Sequence, residues 1–589
     1  MLPRGVKCDF GPNYVDTRIT SWIEFILYNM VILIDYVVMY ISRASWLSSN
    51  GKVYESIYLR ESYREGPHVR KRNIANLTHA DPQEIAAIEL ALKHKGDLAA
   101  LRSLDQVHLA QGLSLGAVWT VAEMARRLGI PQALGSGFPA QLALWQVLAR
   151  VLDQGSRLSA VRLAQVHAAG DVLGLERGFD ENDLYANLTW LSAHQQRIED
   201  RLFARRHGQQ KPDLFLYDVT SSYLEGEKNA YGAYGYPRDG KKGKQQIVIG
   251  LLCDEQGATL STEVFRGNTQ DPKTFAAQVQ KASERFGCEQ VTFVGDRGMI
   301  KSGQVKDLSA AGFHYITAIT KPQIEALRAA GVLQMELFAA EICEVQQEGV
   351  RYVLRRNPLR AEQLAASRAD KQACVERRCA EQNRYLREHP RARVATAEKR
   401  VRAKIAQLKI APWLEVKAQD RSVQLAVNSP ALEQAARLDG CYVIKTDLAG
   451  SVASKRVVHD RYKDLAQVEQ AFRTCKTAHL EARPIHVRTA EHTRAHVLVV
   501  MLAYLLRREL SRAWADLDTT VEEGLHQLQT LCSMEMKVDG GGSCLRIPQP
   551  SAACGALLKA ADLRLPEALP HRKTLVVTRK KLPERRKPR

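Results

Sequence analysis

An alternation of apolar and polar residues first sets in over Lys52-Val53-Tyr54-Glu55-Ser56-Ile57-Tyr58-Leu59-Arg60-Glu61-Ser62-Tyr63-Arg64. A period of two predicts a strand in a small sheet, because successive side chains of a strand point to opposite faces. The basic run Arg70-Lys71-Arg72 follows and gives that sheet a charged edge, suited to water or to a DNA backbone. From about residue 83 to 205 the pattern reads as helices throughout. Thr120 to Pro131 has the small residues and turn glycine of a helix-turn-helix, a spacing that many all-helical domains share. Asp183 to Phe203 carries Leu184, Leu188, Leu191 and Ile198 at core spacing.

At Asp213 strands replace helices. Asp213-Leu214-Phe215-Leu216-Tyr217-Asp218-Val219-Thr220-Ser221 is an apolar run ending in an acid, followed by small hydroxylated residues. Gln246 to Cys253 and Thr259 to Phe265 predict two more strands across the turn Asp254-Glu255-Gln256-Gly257, and Lys273 to Phe286 predicts a helix. Gln290-Val291-Thr292-Phe293-Val294-Gly295-Asp296 then repeats the first device. Strand, hairpin, helix, strand suits a mixed sheet whose first and fourth strands lie side by side, which would bring Asp218 and Asp296 together at one sheet edge.

A strand pair near residue 345 precedes two long polar helices, Ala361 to Glu388 and Arg393 to Ile410, broken at His389-Pro390. Their Arg and Lys content suits a solvated hairpin as well as a DNA-gripping insert. Strand character returns at Val423 to Val427 and at Asp439 to Thr446, the latter rejoining the main sheet. Read as one helix, Tyr462 to Lys476 projects Tyr462, Glu469 and Lys476 from nearly one face, with Arg473 a turn beyond the acid. Leu465, Val468 and Phe472 supply an apolar side to dock it. His496 to Leu510 predicts a buried helix too short to span a bilayer. Asp539 to Ser543 reads as a loop, and Thr578 to Arg589 as a disordered basic tail.

Length and charge narrow the picture. A chain of 589 residues exceeds one core and predicts three to five domains. Lys and Arg number 84 against 65 Asp and Glu, and a formal +19 argues for a polyanionic partner, most simply nucleic acid. The 11 Cys show no CxxC pair and no zinc spacing, which predicts reduced thiols in a cytoplasmic protein. Ser21 to Ser42 is apolar, yet Glu24 and Asp35 interrupt it, so it is not read as a membrane anchor. Its composition differs from the remainder, and residues 1–38 are read as a non-native upstream extension with the functional chain starting at Met39.

Asp218 and Asp296 held side by side would repel unless a cation or a proton joined them. Mg²⁺ suits such a pair, since it takes oxygen ligands and leaves positions for phosphate and water. Singly, either Asp would read as a cap or turn former.

Asp218 in Tyr-Asp-Val-Thr-Ser, Asp296 in Gly-Asp-Arg-Gly-Met, and Tyr462-x2-Leu465-x3-Glu469-x6-Lys476 together resemble the DDE transposases of bacterial insertion sequences, in the group with a Y-x2-R-x3-E-x6-K signature. Leu465 stands where that signature has Arg. The acids are separated by 78 and 173 positions, and the second gap suits a domain inserted before the Glu. The resemblance implies an RNase H-like α/β core, a mixed sheet flanked by helices and interrupted by an insertion, after a mostly helical N-terminal region. It implies catalysis and metal binding by Asp218, Asp296 and Glu469 with two Mg²⁺ ions, for which Mn²⁺ substitutes. Cleavage of insertion-sequence ends and strand transfer into target DNA would follow, by a homodimer on paired terminal inverted repeats. Tyr462, Arg473, Lys476, Arg297 and Lys321 become candidate DNA contacts. A metal-dependent nuclease without strand transfer and an inactive DNA-binding copy are the alternatives.

On this reading the chain divides into a β-rich basic segment (39–82), a helical DNA-binding domain (83–208), a first core part (209–344), an insertion domain (345–435), a second core part with the Glu helix (436–512), a C-terminal region (513–577) and the tail (578–589).

Overall fold

The computed structural model describes residues 38–47, 53–66, 68–93, 107–477, 479–483, 485–538, 543–569, 576 and 578. The expectations for residues 1–37, for 539–542 and for nearly all of the tail lie outside them. Three antiparallel strands open the fold: β1 (Val38–Leu47), β2 (Val53–Glu65) and β3 (His68–Asn76). Next comes β4 (Val107–Ser114), a departure from the all-helical expectation for 83 to 205. It pairs with a strand from far down the chain, Cys532–Val538, and local periodicity carries no trace of so remote a partner. Gly129, at φ 77°, does turn between the helices Gly116–Leu128 and Ile130–Leu134, but the second is five residues long and buries Ile130, Ala133 and Leu134. Asp180 starts the long helix Glu181–His207 by accepting from the backbone N–H groups of Asn182 and Asp183.

The central sheet takes β5 (Leu214–Tyr223), β6 (Gln246–Asp254), β7 (Thr259–Arg266), β8 (Thr292–Gly295), β9 (His314–Ala318), β10 (Cys343–Gln347) and β11 (Val350–Arg356). After the hairpin β12 (Leu414–Gln419) and β13 (Ser422–Val427), β14 (Cys441–Thr446) completes it. Its order is β10-β11-β14-β9-β8-β5-β6-β7, with β5, β8 and β9 parallel neighbours and the other pairs antiparallel. Last come β15 (Cys532–Val538) and β16 (Ser543–Arg546), which extend β4. The hairpin expected to open the intervening segment, β10–β11, is therefore part of the main sheet. What stands apart are the helices Pro358–Glu388 and Val394–Leu408 with β12–β13, packed on their own apolar cluster around Val375, Val401, Ile405 and Trp413.

Period-two alternation fixes both faces of the sheet. Along β5, Phe215 and Tyr217 join an aromatic layer with Phe275, Phe293 and Phe313, while Leu214 and Leu216 point the other way. The Phe215–Phe293 and Phe275–Phe293 ring centroids lie 5.5 and 5.3 Å apart, and each fully buried ring contributes about 2–3 kcal/mol. The Leu214 face packs on Leu465–Lys476, on the helix Ala490–Ala513 and on Glu181–His207. Among the described residues no helix is long and apolar enough to cross a membrane, and the described cysteines are free.

Candidate active site

Register places the two aspartates. β5 and β8 run parallel with Leu216 opposite Val294 and Tyr217 opposite Gly295, so Asp218 and Asp296 occupy the next position on adjacent strands. Each follows the parity of Leu216 and Val294, which face the helical layer. The expected side-by-side arrangement is present, in the middle of the sheet rather than at its edge. Asp218 is also not at a strand end: β5 continues five residues beyond it because β6 keeps pairing through Tyr223, long after β8 has stopped. Asp296 opens a turn closed by Met299 N–H donating to its carbonyl.

The third acid arrives on a helix that the sequence predicts as one piece and the structure builds as two, Lys455–Lys463 and Leu465–Lys476, meeting at Asp464. Leu465, Val468 and Phe472 are buried as expected, and they seat the helix against β5. That leaves Glu469 and Arg473 exposed on the side facing Asp218 and Asp296. Leu465 is 8% exposed, so it belongs to the docking face. An arginine there would bury a charge without a partner. Leu465→Arg is expected to cost about 2–4 kcal/mol in a urea titration; an unchanged midpoint would show that the position opens to solvent.

Asp218, Asp296 and Glu469 line one cavity of about 710 Å³, together with Asp239 and Asp271. Burial, reinforced by the charges of Asp296 and Glu469, pushes the Asp218 carboxyl up to about 7. Val219 N–H, which donates to Asp218 Oδ1 at 2.8 Å, and the nearby Arg238 oppose that rise only in part. Asp296 Oδ1 accepts from Arg297 N–H at 2.7 Å and from the Tyr462 hydroxyl at 3.2 Å. Burial and the Asp296 charge hold the Tyr462 phenol well above its ordinary range, so it remains a donor.

The candidate cations separate into two kinds. Lys476 is committed within the protein: Nζ donates to Thr220 Oγ1 at 2.8 Å, Ser221 O at 3.1 Å and Asp239 Oδ1 at 2.7 Å. Arg483 reaches the same Asp239 oxygen at 2.6 Å. Lys321 is not a lining residue of the cavity; its Nζ stands 3.9 Å from Asp439. Arg473 lines the cavity, whereas Arg297, next to Asp296 in the chain, is not a lining residue; both are exposed. Sequence reasoning missed Asp239, whose side chain is 3% exposed, and the pair formed by Arg238 and Asp271 across 2.5 Å. The Pro-Arg-Asp-Gly turn at 237–240 was the available signal, since an acid preceding a glycine in a basic loop marks a fixed turn.

The donor chemistry fits a hard divalent cation: three carboxylates line one cavity, and one of them is driven toward protonation by burial and by the charges of the other two. Asp218, Asp296 and Glu469 would hold it. Among the described residues no three His, Cys, Asp or Glu side chains are grouped closely enough to hold one ion together.

Two family models match the chain: "Transposase DDE domain" over residues 209–506, and "IS1634 family transposase, N-terminal domain" over residues 47–103. Among solved structures, a cryo-EM structure of the piggyBac transposase synaptic complex with hairpin DNA is similar at 9% identity and a TM-score of 0.32, covering 75% of each chain. No curated protein sequence matches.

Proposed function

The chain belongs to the insertion-sequence DDE transposases, and we propose from this that it cuts the ends of its element and joins them to target DNA, using Asp218, Asp296 and Glu469 as the catalytic acids. The observation that carries the assignment is the placement of Asp218 and Asp296 one position past the last paired residues of neighbouring parallel strands, with Glu469 on the same cavity. In this reading the central sheet is the RNase H-like core, and the segment from Pro358 to Arg437 is the insertion before the Glu helix. DNA is the partner, held as two paired ends by two copies of the chain.

Two divalent ions, Mg²⁺ or Mn²⁺, would supply Lewis-acid activation of the attacking oxygen and charge relief at the departing 3′ oxygen. Asp218, Asp296 and Glu469 would hold them, and the Asp218 carboxyl already feels the charge of both other acids. Tyr462 acts through Asp296: its hydroxyl fixes the carboxylate oxygen that it touches. Lys476, held by Asp239, ties the end of the Glu469 helix to β5 just past Asp218 and so sets the distance between those two acids. Phosphate contact falls to Arg473 and Arg297.

The test is a strand-transfer assay with the full chain, two DNA fragments carrying the element's terminal inverted repeats, Mg²⁺ and a supercoiled target plasmid. Joined products that require both repeats are expected. Cutting without joining would reduce the protein to a nuclease, and absence of both would remove the transposase reading.

A further inference from the structure

Between β5 and β6 the chain leaves the sheet for residues 224–245, and this segment holds the two most exposed tyrosines among the described large apolar side chains, Tyr234 at 62% and Tyr236 at 80%. Directly after them, Arg238, Lys241, Lys242 and Lys244 crowd into seven positions against one acid, Asp239. We propose that this projection is a binding site for unpaired nucleotides of the substrate DNA beside the bond being cut, with Tyr234 and Tyr236 as stacking platforms and Lys241, Lys242 and Lys244 as phosphate contacts. The proposal rests on the transposase reading and deepens it.

Three observations support it. First, the projection is built rather than loose at its root. Asp239, its side chain 3% exposed, accepts from Lys476, Arg483 and Tyr223 N–H. Gln246 Nε2 donates to Tyr236 O at 3.0 Å, and Gly267 N–H donates to Tyr231 O at 3.0 Å. The peptide that carries the exposed rings is therefore held in place, which lowers the ordering cost of binding. Second, the root lies on the catalytic cavity, since Arg238 and Asp239 both line it. Tyr236 is two residues from that wall. Third, the tip is open: Gly240 and Gly243 adopt φ of 68° and 75°, no neighbouring atom comes within 4 Å of where a Cβ would stand on either, and Lys241, Lys242 and Lys244 are exposed, with Lys244 Nζ 3.4 Å from Glu225 at the rim.

Tyr234 and Tyr236 set two exposed amphipathic rings beside a run of exposed lysines, so one face offers both flat apolar surface and positive charge. A protein surface would cover the rings but would gain nothing from the adjoining lysines unless it were acidic. Unpaired nucleotides satisfy both, because every base offers a π face and every linkage a phosphate. A duplex hides its bases, so the site would act once strands separate at the element's end.

The experiment compares full-length wild type, Tyr234→Ala/Tyr236→Ala and Tyr234→Phe/Tyr236→Phe on two DNAs, a blunt terminal-repeat duplex and the same duplex with a short single-stranded extension at the cleavage end. 2-Aminopurine in the extension reports stacking by quenching. The alanine pair is expected to weaken binding of the extended DNA about tenfold or more, to abolish quenching and to leave the blunt duplex unaffected, while the phenylalanine pair behaves as wild type. Lys241→Ala/Lys242→Ala/Lys244→Ala should lower affinity and flatten its salt dependence. Wild-type binding of both DNAs with no quenching, or equal loss on both in the alanine pair, would overturn the loop assignment and leave the transposase reading intact. Failure of wild type to bind either DNA would strike at the transposase reading itself. Loss of self-association in the alanine pair without any change on extended DNA would mark the rings as a contact between copies and also overturn the proposal.

Discussion

Replacing Asp218 by asparagine is expected to abolish strand cleavage and, in metal-free buffer at pH 8, to make the protein more stable. The two effects have one cause. Asp218 is partly buried beside Asp296 and Glu469, and its carboxyl is pushed up to about 7, so at pH 8 the folded protein carries a charge that its surroundings disfavour. Asparagine keeps the shape and keeps an oxygen to accept from Val219 N–H, but removes the charge. Cleavage should fall by about 10³-fold or more, because electrostatic and metal-held stabilisation at phosphorus is lost. The unfolding free energy from a urea titration should rise by on the order of 2 kcal/mol, the pattern of a residue retained for function at the expense of stability. Asp296→Asn and Glu469→Gln should lose cleavage to the same extent with DNA binding retained, but without comparable stabilisation, since both side chains are exposed. Cleavage by Asp218→Asn within tenfold of wild type would remove Asp218 from the catalytic set.

The sequence and the fold agree where local pattern decides. Leu214, Leu216 and Asp218 alternate with Phe215 and Tyr217, and that alternation is enough to put the acid on one face of a strand. A second run of the same kind ending in Asp296 then has few places to go except beside the first. Agreement stops where a distant partner decides. Lys476 reads as a DNA-contacting cation on the face of Glu469, yet Asp239, 237 residues earlier, holds it inside. β4 pairs with β15 across more than four hundred residues, and no property of Val107–Ser114 announces that partner. Asp218 was placed at a strand end because its apolar run stops there; β5 runs on because β6 supplies hydrogen bonds through Tyr223 whatever the side chains are.

Mg²⁺ is expected to stabilise the protein strongly at pH 8 and weakly at pH 5.5. The sign follows from Asp218. Its carboxyl is raised in the folded state to about 7 from an ordinary value of 3.8, so between those limits the folded protein binds more protons than the unfolded chain. Stability from this group is therefore fully present below about pH 4 and is lost as pH rises to 7, by on the order of 4 kcal/mol in all. A divalent ion held by Asp218, Asp296 and Glu469 competes for the same carboxylates, so it binds when they are deprotonated and restores what the charge took away. At one hundred times its dissociation constant it contributes about 2.7 kcal/mol. Thermal melts with Mg²⁺ and with EDTA at the two pH values measure the difference directly, without any DNA or turnover. Asp218→Asn should lose the Mg²⁺ dependence at pH 8, because it removes both the proton site and a ligand. A Mg²⁺ shift of equal size at pH 5.5 and pH 8, or one that survives in Asp218→Asn, would place the ion elsewhere and leave the three carboxylates without it.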